Sequence, residues 1–290
     1  MDRPGVGARP AANAAVAERE VEEAFVSVVD EGRRRLSRQW TSLLATGAVG
    51  GVDVGTGVLA LLLVEDQTKS MLLGGLAFSI GFVALTLARS ELFTENFLIP
   101  VSTVIARQAR ARMLARLWLG TLVSNLVGGW VFTWLIVRGF PSLSAAAVEA
   151  GYRYVLLGTG LRAFCLAVLG GAAITLMTWM QHSTPEALAK IVAAVATGFL
   201  VAGGGLDHAI VNSLLMFAAL HTGHAPFGYA AWARTAGWAV LGNLVGGIAL
   251  VTVLRLLQVP HRVQEERAHP ALGVPIGDHR REAPPPGDEQ

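Results

Sequence analysis

The chain has 290 residues, of which 53% are hydrophobic and 15% charged, with a formal net charge of +2 and a mean hydropathy of +0.51. So few polar groups cannot cover a water-soluble surface, so the composition argues against a soluble domain and for several membrane spans. The near-balanced charge, with arginines gathered at segment ends and not on a binding face, gives no sign of nucleic acid, and no nucleic-acid partner is expected.

In chain order, the stretch from Ala15 to Trp40 predicts an amphipathic helix on the inner membrane surface. Val21, Phe25 and Val28 share one face, and Glu18, Glu22, Arg33 and Arg34 supply solvated charge. No cleavable signal peptide is visible, because the first long apolar run starts only near Thr41. A span needs about 20 mostly apolar residues. Six runs qualify: Thr41–Val64, Ser70–Ala88, Leu117–Val137, Ala163–Gln181, Ile191–Leu220 and Ala236–Leu254. The second meets the polar cluster Arg89–Asn96 and resumes as Phe97–Ala106, which contains Pro100. The fifth carries Gly203-Gly204-Gly205 and Asp207-His208 inside it. Both read as broken helices, tolerated in lipid only where the freed backbone is buried or lines a cavity. Cys165, the one cysteine, reads as a small buried hydrophobe. From Pro260 onward the sequence has too few apolar residues to pack and predicts disorder. The expected organisation is a cytoplasmic N-terminal segment (1–40), a six-span domain (41–258) and a disordered cytoplasmic tail (259–290).

Arg33, Arg34, Arg35 and Arg38 precede span one; Arg107, Arg110, Arg112 and Arg116 follow span two; Arg255, Arg262 and Arg267 follow span six. The positive-inside rule places these regions, and both termini, in the cytoplasm.

The two halves echo each other. Ser124-Asn125-Leu126-Val127-Gly128-Gly129 returns 118 residues later as Gly242-Asn243-Leu244-Val245-Gly246-Gly247, and Glu91…Asn96 aligns with Asp207…Asn212 at a spacing of 116. Three spans per half make the repeats run in opposite directions, with a transport site expected near the midplane between them. The fold class is therefore an all-α membrane protein of two inverted three-helix repeats with broken second and fifth helices.

His208 is the sharpest candidate, because an ionisable group inside a span is costly and imidazole titrates near neutral pH. The competing reading makes it a hydrogen-bond partner for a freed carbonyl. Asp207 reads as a helix cap or a partner for His208, and Glu91 as its equivalent in the first half. Thr94 and Asn96 stand where a half-helix restarts, whose free N–H groups would welcome an anion. Asn125, Asn243 and Asn212 are buried amides suited to cross-helix bonding or pore contact. Asp53 sits mid-span and reads as protonated, paired with a basic group or facing a wet vestibule. Arg89 reads as a partner for Glu91. No cluster has metal-ligand spacing, and no catalytic or phosphate-binding motif occurs, so no cofactor, metal or enzyme activity is expected.

Ser90-Glu91-Leu92-Phe93-Thr94-Glu95-Asn96, Gly205-Leu206-Asp207-His208-Ala209-Ile210-Val211-Asn212 and Gly242-Asn243-Leu244-Val245-Gly246-Gly247 resemble, in order and spacing, motifs of the formate/nitrite transporter family. The resemblance covers roughly Trp40 to Gln258. It implies an aquaporin-like fold, a homopentamer in the inner membrane with a pore in each subunit, and passage of small monovalent anions such as formate, nitrite or hydrosulfide, or of their neutral acids. On that resemblance His208 is the central pore histidine, Leu92-Phe93-Thr94 the mobile loop, Asn243 the sixth-span asparagine, and Phe78 and Phe82 the inner constriction. Val201 stands at an outer constriction often held by an aromatic. The chain departs from the family at Gly171, where asparagine is usual, at Arg89, where a small residue is usual, and in lacking a lysine upstream of span four. A channel for a neutral solute or cation, and a non-transporting membrane scaffold, are the alternative readings.

Overall fold

The computed structural model describes residues 8–270, and side chains from residue 19 onward. Among these residues the chain forms α1 (Ala8–Ser37), α2 (Trp40–Thr68), α3 (Met71–Ala88), α4 (Ile99–Ile105), α5 (Ala111–Gly139), α6 (Ser144–Leu157), α7 (Leu161–His182), α8 (Ala187–Gly203), α9 (Ala209–His221), α10 (Tyr229–Leu256) and α11 (Pro260–Ala268). Helices α2, α3, α5, α7 and α10 are each long and apolar enough to cross a membrane. The fifth expected span is the pair α8 and α9, broken where the glycine run predicted. The second is α3 followed by a 3₁₀ turn at Phe93–Phe97 and the short α4. Leu72, Leu76, Ile80 and Leu87 on α3 and Leu241 and Leu250 on α10 are exposed, as lipid-facing or subunit-facing side chains are.

Glycines let these helices meet backbone to backbone, and they do so at matching places in the two halves. A Cβ on Gly51 would strike the Asn125 carbonyl, and one on Gly171 the Asn243 carbonyl. Gly128 lies against the backbone of Ala48, and Gly246 against that of Val168. Gly171, the departure from the family's asparagine, is therefore a contact point between α7 and α10. Each half also ends its broken helix with a residue in the left-handed region: Arg89 after α3 (φ 55°) and Gly205 after α8 (φ 64°). Glycine adopts that geometry freely and arginine does not.

Four features depart from expectation. Helix α6 fills the connection between spans three and four and packs on α9, with Gly151 against the Leu215 carbonyl. α10 is wound as a π-helix over Val245–Val253, where Thr252 Oγ1 turns to the carbonyls of Phe97 (2.8 Å) and Gly247 (2.9 Å). The tail expected to be disordered from Pro260 begins instead with α11. Its Val263 is buried with Phe25 and Val29 of α1 and with Leu256 and Val259, so the apolar surface α11 lacks is supplied by its neighbours. The rest of that tail, from residue 271, lies outside the described residues. Finally, Cys165 is exposed on α7 rather than buried.

The N-terminal helix is amphipathic as expected, with Phe25 and Val28 buried and Val21 packed beside them. It lies against α4 and the start of α5, where Arg116 donates to the carbonyls of Leu36 (2.7 Å) and Arg38 (2.8 Å).

Candidate functional site

The two asparagines of the repeated motif do the same work in each half. Asn125 donates to the carbonyls of Gly47 (2.7 Å) and Glu91 (2.8 Å) and accepts from the Phe93 N–H (2.8 Å). Asn243 donates to those of Ala167 (2.7 Å) and Asp207 (2.8 Å) and accepts from the Ala209 N–H (3.0 Å). A helix break frees backbone groups that lipid cannot satisfy, and each amide takes up a donor and an acceptor of its break. Both amides are fully buried and spend both their hydrogens in this way.

The hooks bring the two breaks face to face. His208, fully buried, precedes α9, and its Nδ1 accepts the Val211 N–H (3.2 Å). An accepting Nδ1 assigns the ring hydrogen of a neutral imidazole to Nε2, which then donates to Thr94 Oγ1 (2.8 Å). Thr94 comes from the 3₁₀ turn of the first break. This hydrogen bond joins the two breaks directly, and His208 both caps a helix and offers an N–H from one break to the other.

Around this contact the side chains are apolar. Phe78, Phe82, Leu92, Phe93, Val201, Leu206 and Ile210 belong to one buried cluster. Phe78 and Phe82 meet edge to face at 5.1 Å, and Phe93 meets Phe97 likewise at 5.0 Å. Gly57 makes room for the first pair: its Cβ would stand 2.6 Å from the Phe78 carbonyl.

The polar candidates pair differently from the sequence expectation. Asp207 does not partner His208; its carboxylate accepts from Asn212 Nδ2. Glu91 does not pair with Arg89, which the left-handed turn directs outward. Its carboxylate meets Arg35 (3.1 Å) and Arg38 (2.6 Å) from the end of α1. Arg35 also reaches Asn96 Oδ1 (3.2 Å), while Asn96 Nδ2 donates to Thr121 (3.3 Å). Asn96 is therefore structural, and it and Thr94 lie inside a 3₁₀ turn rather than at a helix N-terminus. Asp53 is half-buried and accepts from Ser90 Oγ (2.5 Å), which ties the start of the first break to α2. Sequence reasoning missed Arg35, Arg38 and Ser90, and also the pair of Glu65 with Arg153, because each acts on a partner distant in the chain. Among the described residues no group of histidine, cysteine or carboxylate side chains could hold a metal ion.

Residues 22–257 match the formate/nitrite transporter family model. The chain is 26% identical over 247 residues to the inner membrane protein YfdC of Escherichia coli, covering 82% of this chain and 78% of that one. It is 23% identical to the uncharacterized transporter YrhG of Bacillus subtilis, over 81% and 92% of the two chains. It is 27% identical to the formate channel FocA of E. coli over 150 residues, half of this chain and 52% of that protein. In structure it is similar to an FNT family ion channel at a TM-score of 0.73 with 20% identity, covering 82% of this chain and 99% of that one. A pentameric formate channel with formate bound gives 0.63 with 21% identity, over 75% and 96%. With the paired breaks, the two asparagine hooks and a family match over most of its length, this chain belongs to the formate/nitrite transporter family of membrane channels and transporters.

Proposed function

We propose that this chain carries small monovalent weak-acid anions of the formate, nitrite and hydrosulfide class across the inner membrane, as a homopentamer with a path through each subunit. Residues 41–258 form the transport unit, and both termini face the cytoplasm. Its task is transport rather than catalysis. Supporting this reading are the formate channels among its relatives and, above all, a buried imidazole that presents Nε2–H to Thr94 between two breaks in a greasy core.

Phe78, Phe82, Leu92, Phe93 and Val201 line the apolar slits, where desolvating an ion is expensive. A passing solute takes the place of Thr94 and accepts the hydrogen bond from His208 Nε2–H. Nδ1 is engaged by the Val211 N–H, so taking up a second proton there would break the helix cap. The ring therefore stays neutral; the solute reaches the mouth as the anion, takes up a proton from bulk water there, and crosses the slits as its neutral acid. Asp207, Asn212, Asn125, Asn243, Glu91, Asn96 and Asp53 support the path by holding the breaks.

His208→Asn tests this reading, because asparagine keeps a capping group while removing the imidazole. Formate uptake into proteoliposomes is expected to fall at least about tenfold, the scale of losing a buried hydrogen bond to the solute. Uptake that rises as external pH falls, and is unchanged in the variant, would refute the role of the ring; no uptake by the wild type would refute the function.

A further inference from the structure

One buried charge pair plays no part in the scheme above. Glu65, in the last turn of α2, is held two-pronged by Arg153 of α6. Arg153 Nη1 donates to Oε1 (3.1 Å) and Nη2 to Oε2 (2.5 Å). The Glu65 side chain is 8% exposed and that of Arg153 37%, so the arginine is the member nearer water. The pair lies at the end of α2 away from α1, and it lies over the second break. Gly74 at the start of α3 sits against the Glu65 side chain, and its neighbour Gly75 sits against the backbone of Gly203, the last residue of α8 before that break. Leu61 and Leu62, one turn below Glu65, share the apolar cluster of Phe78, Val201 and Leu206. Tyr154, next to Arg153, packs against that same cluster. On the orientation proposed above, the ion pair therefore stands at the outer edge of the apolar cluster that holds Phe78, Val201 and Leu206.

A half-buried ion pair is a weak stabiliser, and an apolar pair of similar volume would serve packing as well. Its effect on the field is more distinctive. A lone arginine at a narrow mouth gathers anions, whereas a two-pronged pair cancels its own charge. We propose that Glu65 and Arg153 are specificity-determining residues that keep the outer mouth electrically neutral, so that the charged form of the solute is not concentrated above the path. This rests on the transport reading given above. Glu65 masks Arg153; removing the mask unveils a cation, and removing the arginine instead leaves a carboxylate that repels anions.

The test is initial formate uptake into proteoliposomes across formate concentrations, at low and at high ionic strength. Glu65→Gln is expected to lower KM roughly threefold at low salt, the effect of one unit charge several ångströms away, with the maximal rate unchanged. Arg153→Gln is expected to raise KM by a similar factor, and the double variant E65Q/R153Q to return it to the wild-type value. All three differences should shrink in molar salt. If Glu65→Gln fails to insert, Arg153→Lys carries the test. It keeps the charge without the two-pronged grip, and a smaller fall in KM is expected. Variants that all lower the maximal rate alike, independent of salt, would reduce the pair to a packing element and overturn the proposal. Wild-type vesicles that pass no monovalent anion would overturn the function on which it rests.

Discussion

The two helix breaks do the same job with different materials. Each is hooked by an asparagine and closed by a left-handed residue, yet their remaining tethers differ in kind. The second break is short, at residues 204–208, and is held by hydrogen bonds without an ion pair among the described residues: Asn212 on Asp207, the Val211 N–H on His208, and the Leu166 carbonyl accepting from the Asp207 N–H (3.3 Å). The first, at residues 89–98, is longer and is tied from outside by charge. Arg35 of α1 and Arg38 just after it hold Glu91, Trp118 Nε1 donates to the Asn96 carbonyl (2.8 Å), and Thr252 reaches Phe97. The break that positions His208 is held from within its own half. The break that positions Thr94 depends on a helix outside the bundle, and so is the one that outside events can move.

The asparagine hooks are what the breaks share, and removing either should have the largest effect. Asn125→Leu or Asn243→Leu strands two carbonyls and one N–H in an apolar interior. At about 1–3 kcal/mol for each unpaired group, a loss of at least about 3 kcal/mol is expected. Both variants should show it as a fall in thermal unfolding temperature in detergent, to a similar extent; a large inequality would break the equivalence of the halves.

Arg35→Met sharpens the comparison instead. It leaves Glu91 with Arg38 alone, Glu95 without its cation (3.7 Å) and Asn96 Oδ1 without its donor, and removing one partner of these buried pairs should cost about 3 kcal/mol. Hydrogen exchange should quicken across residues 91–97 and stay unchanged across 204–212. Equal loosening of both breaks would show that the first is not separately tethered.

The sequence displayed the shared parts of this design and hid the unshared ones. Apolar runs give spans because lipid demands them, and the repeated Asn-Leu-Val-Gly-Gly letters mark both hooks. His208 stood out because nothing else polar survives beside a glycine run except its neighbour Asp207. Helix α6 was invisible because its length is too short for a span and its pattern too alanine-rich to mark a face. Helix α11 was missed because Val263 is its one buried side chain, and the surface covering it belongs to α1 and the end of α10. The partner of Glu91 was misread because Arg89 is close in sequence, whereas the backbone turns it away and the fold brings Arg35 and Arg38 from more than fifty residues earlier.

The left-handed closures give a smaller effect of opposite sign in the two halves. Arg89 carries a side chain where φ is 55°, and Gly205 has none at 64°. Arg89→Gly should stabilise the protein by about 1 kcal/mol, and Gly205→Ala should destabilise it by about the same amount. Denaturation in detergent measures both; a loss of stability in Arg89→Gly would mean that the arginine side chain contributes more than its backbone costs.

The smallest effect concerns the outer tether's own support. Helix α11 clasps α1 through Glu22, which meets His261 (2.6 Å) and Arg262 (2.8 Å), and through Arg33 with Glu266 (3.1 Å). Hydrogen bonds from Arg262, then from His261, hold the Glu22 carboxyl below its ordinary value of 4.5. A carboxyl that titrates lower when docked favours docking fully above that ordinary value, and the advantage is lost as pH falls through the lower, docked value. Fluorescent labels on α1 and α11 should therefore report a widening as pH is lowered below the ordinary carboxyl value of 4.5, reversed on return to neutrality. Glu22→Gln should remove that acid step and leave a small fixed separation at every pH, because an exposed pair contributes little. Should the first break, read by hydrogen exchange at residues 91–97, loosen in step with α11 while residues 204–212 do not, the charge tethers form one line from the C-terminal helix to Thr94; if α11 parts and the break stays protected, Arg35 and Arg38 hold it without help.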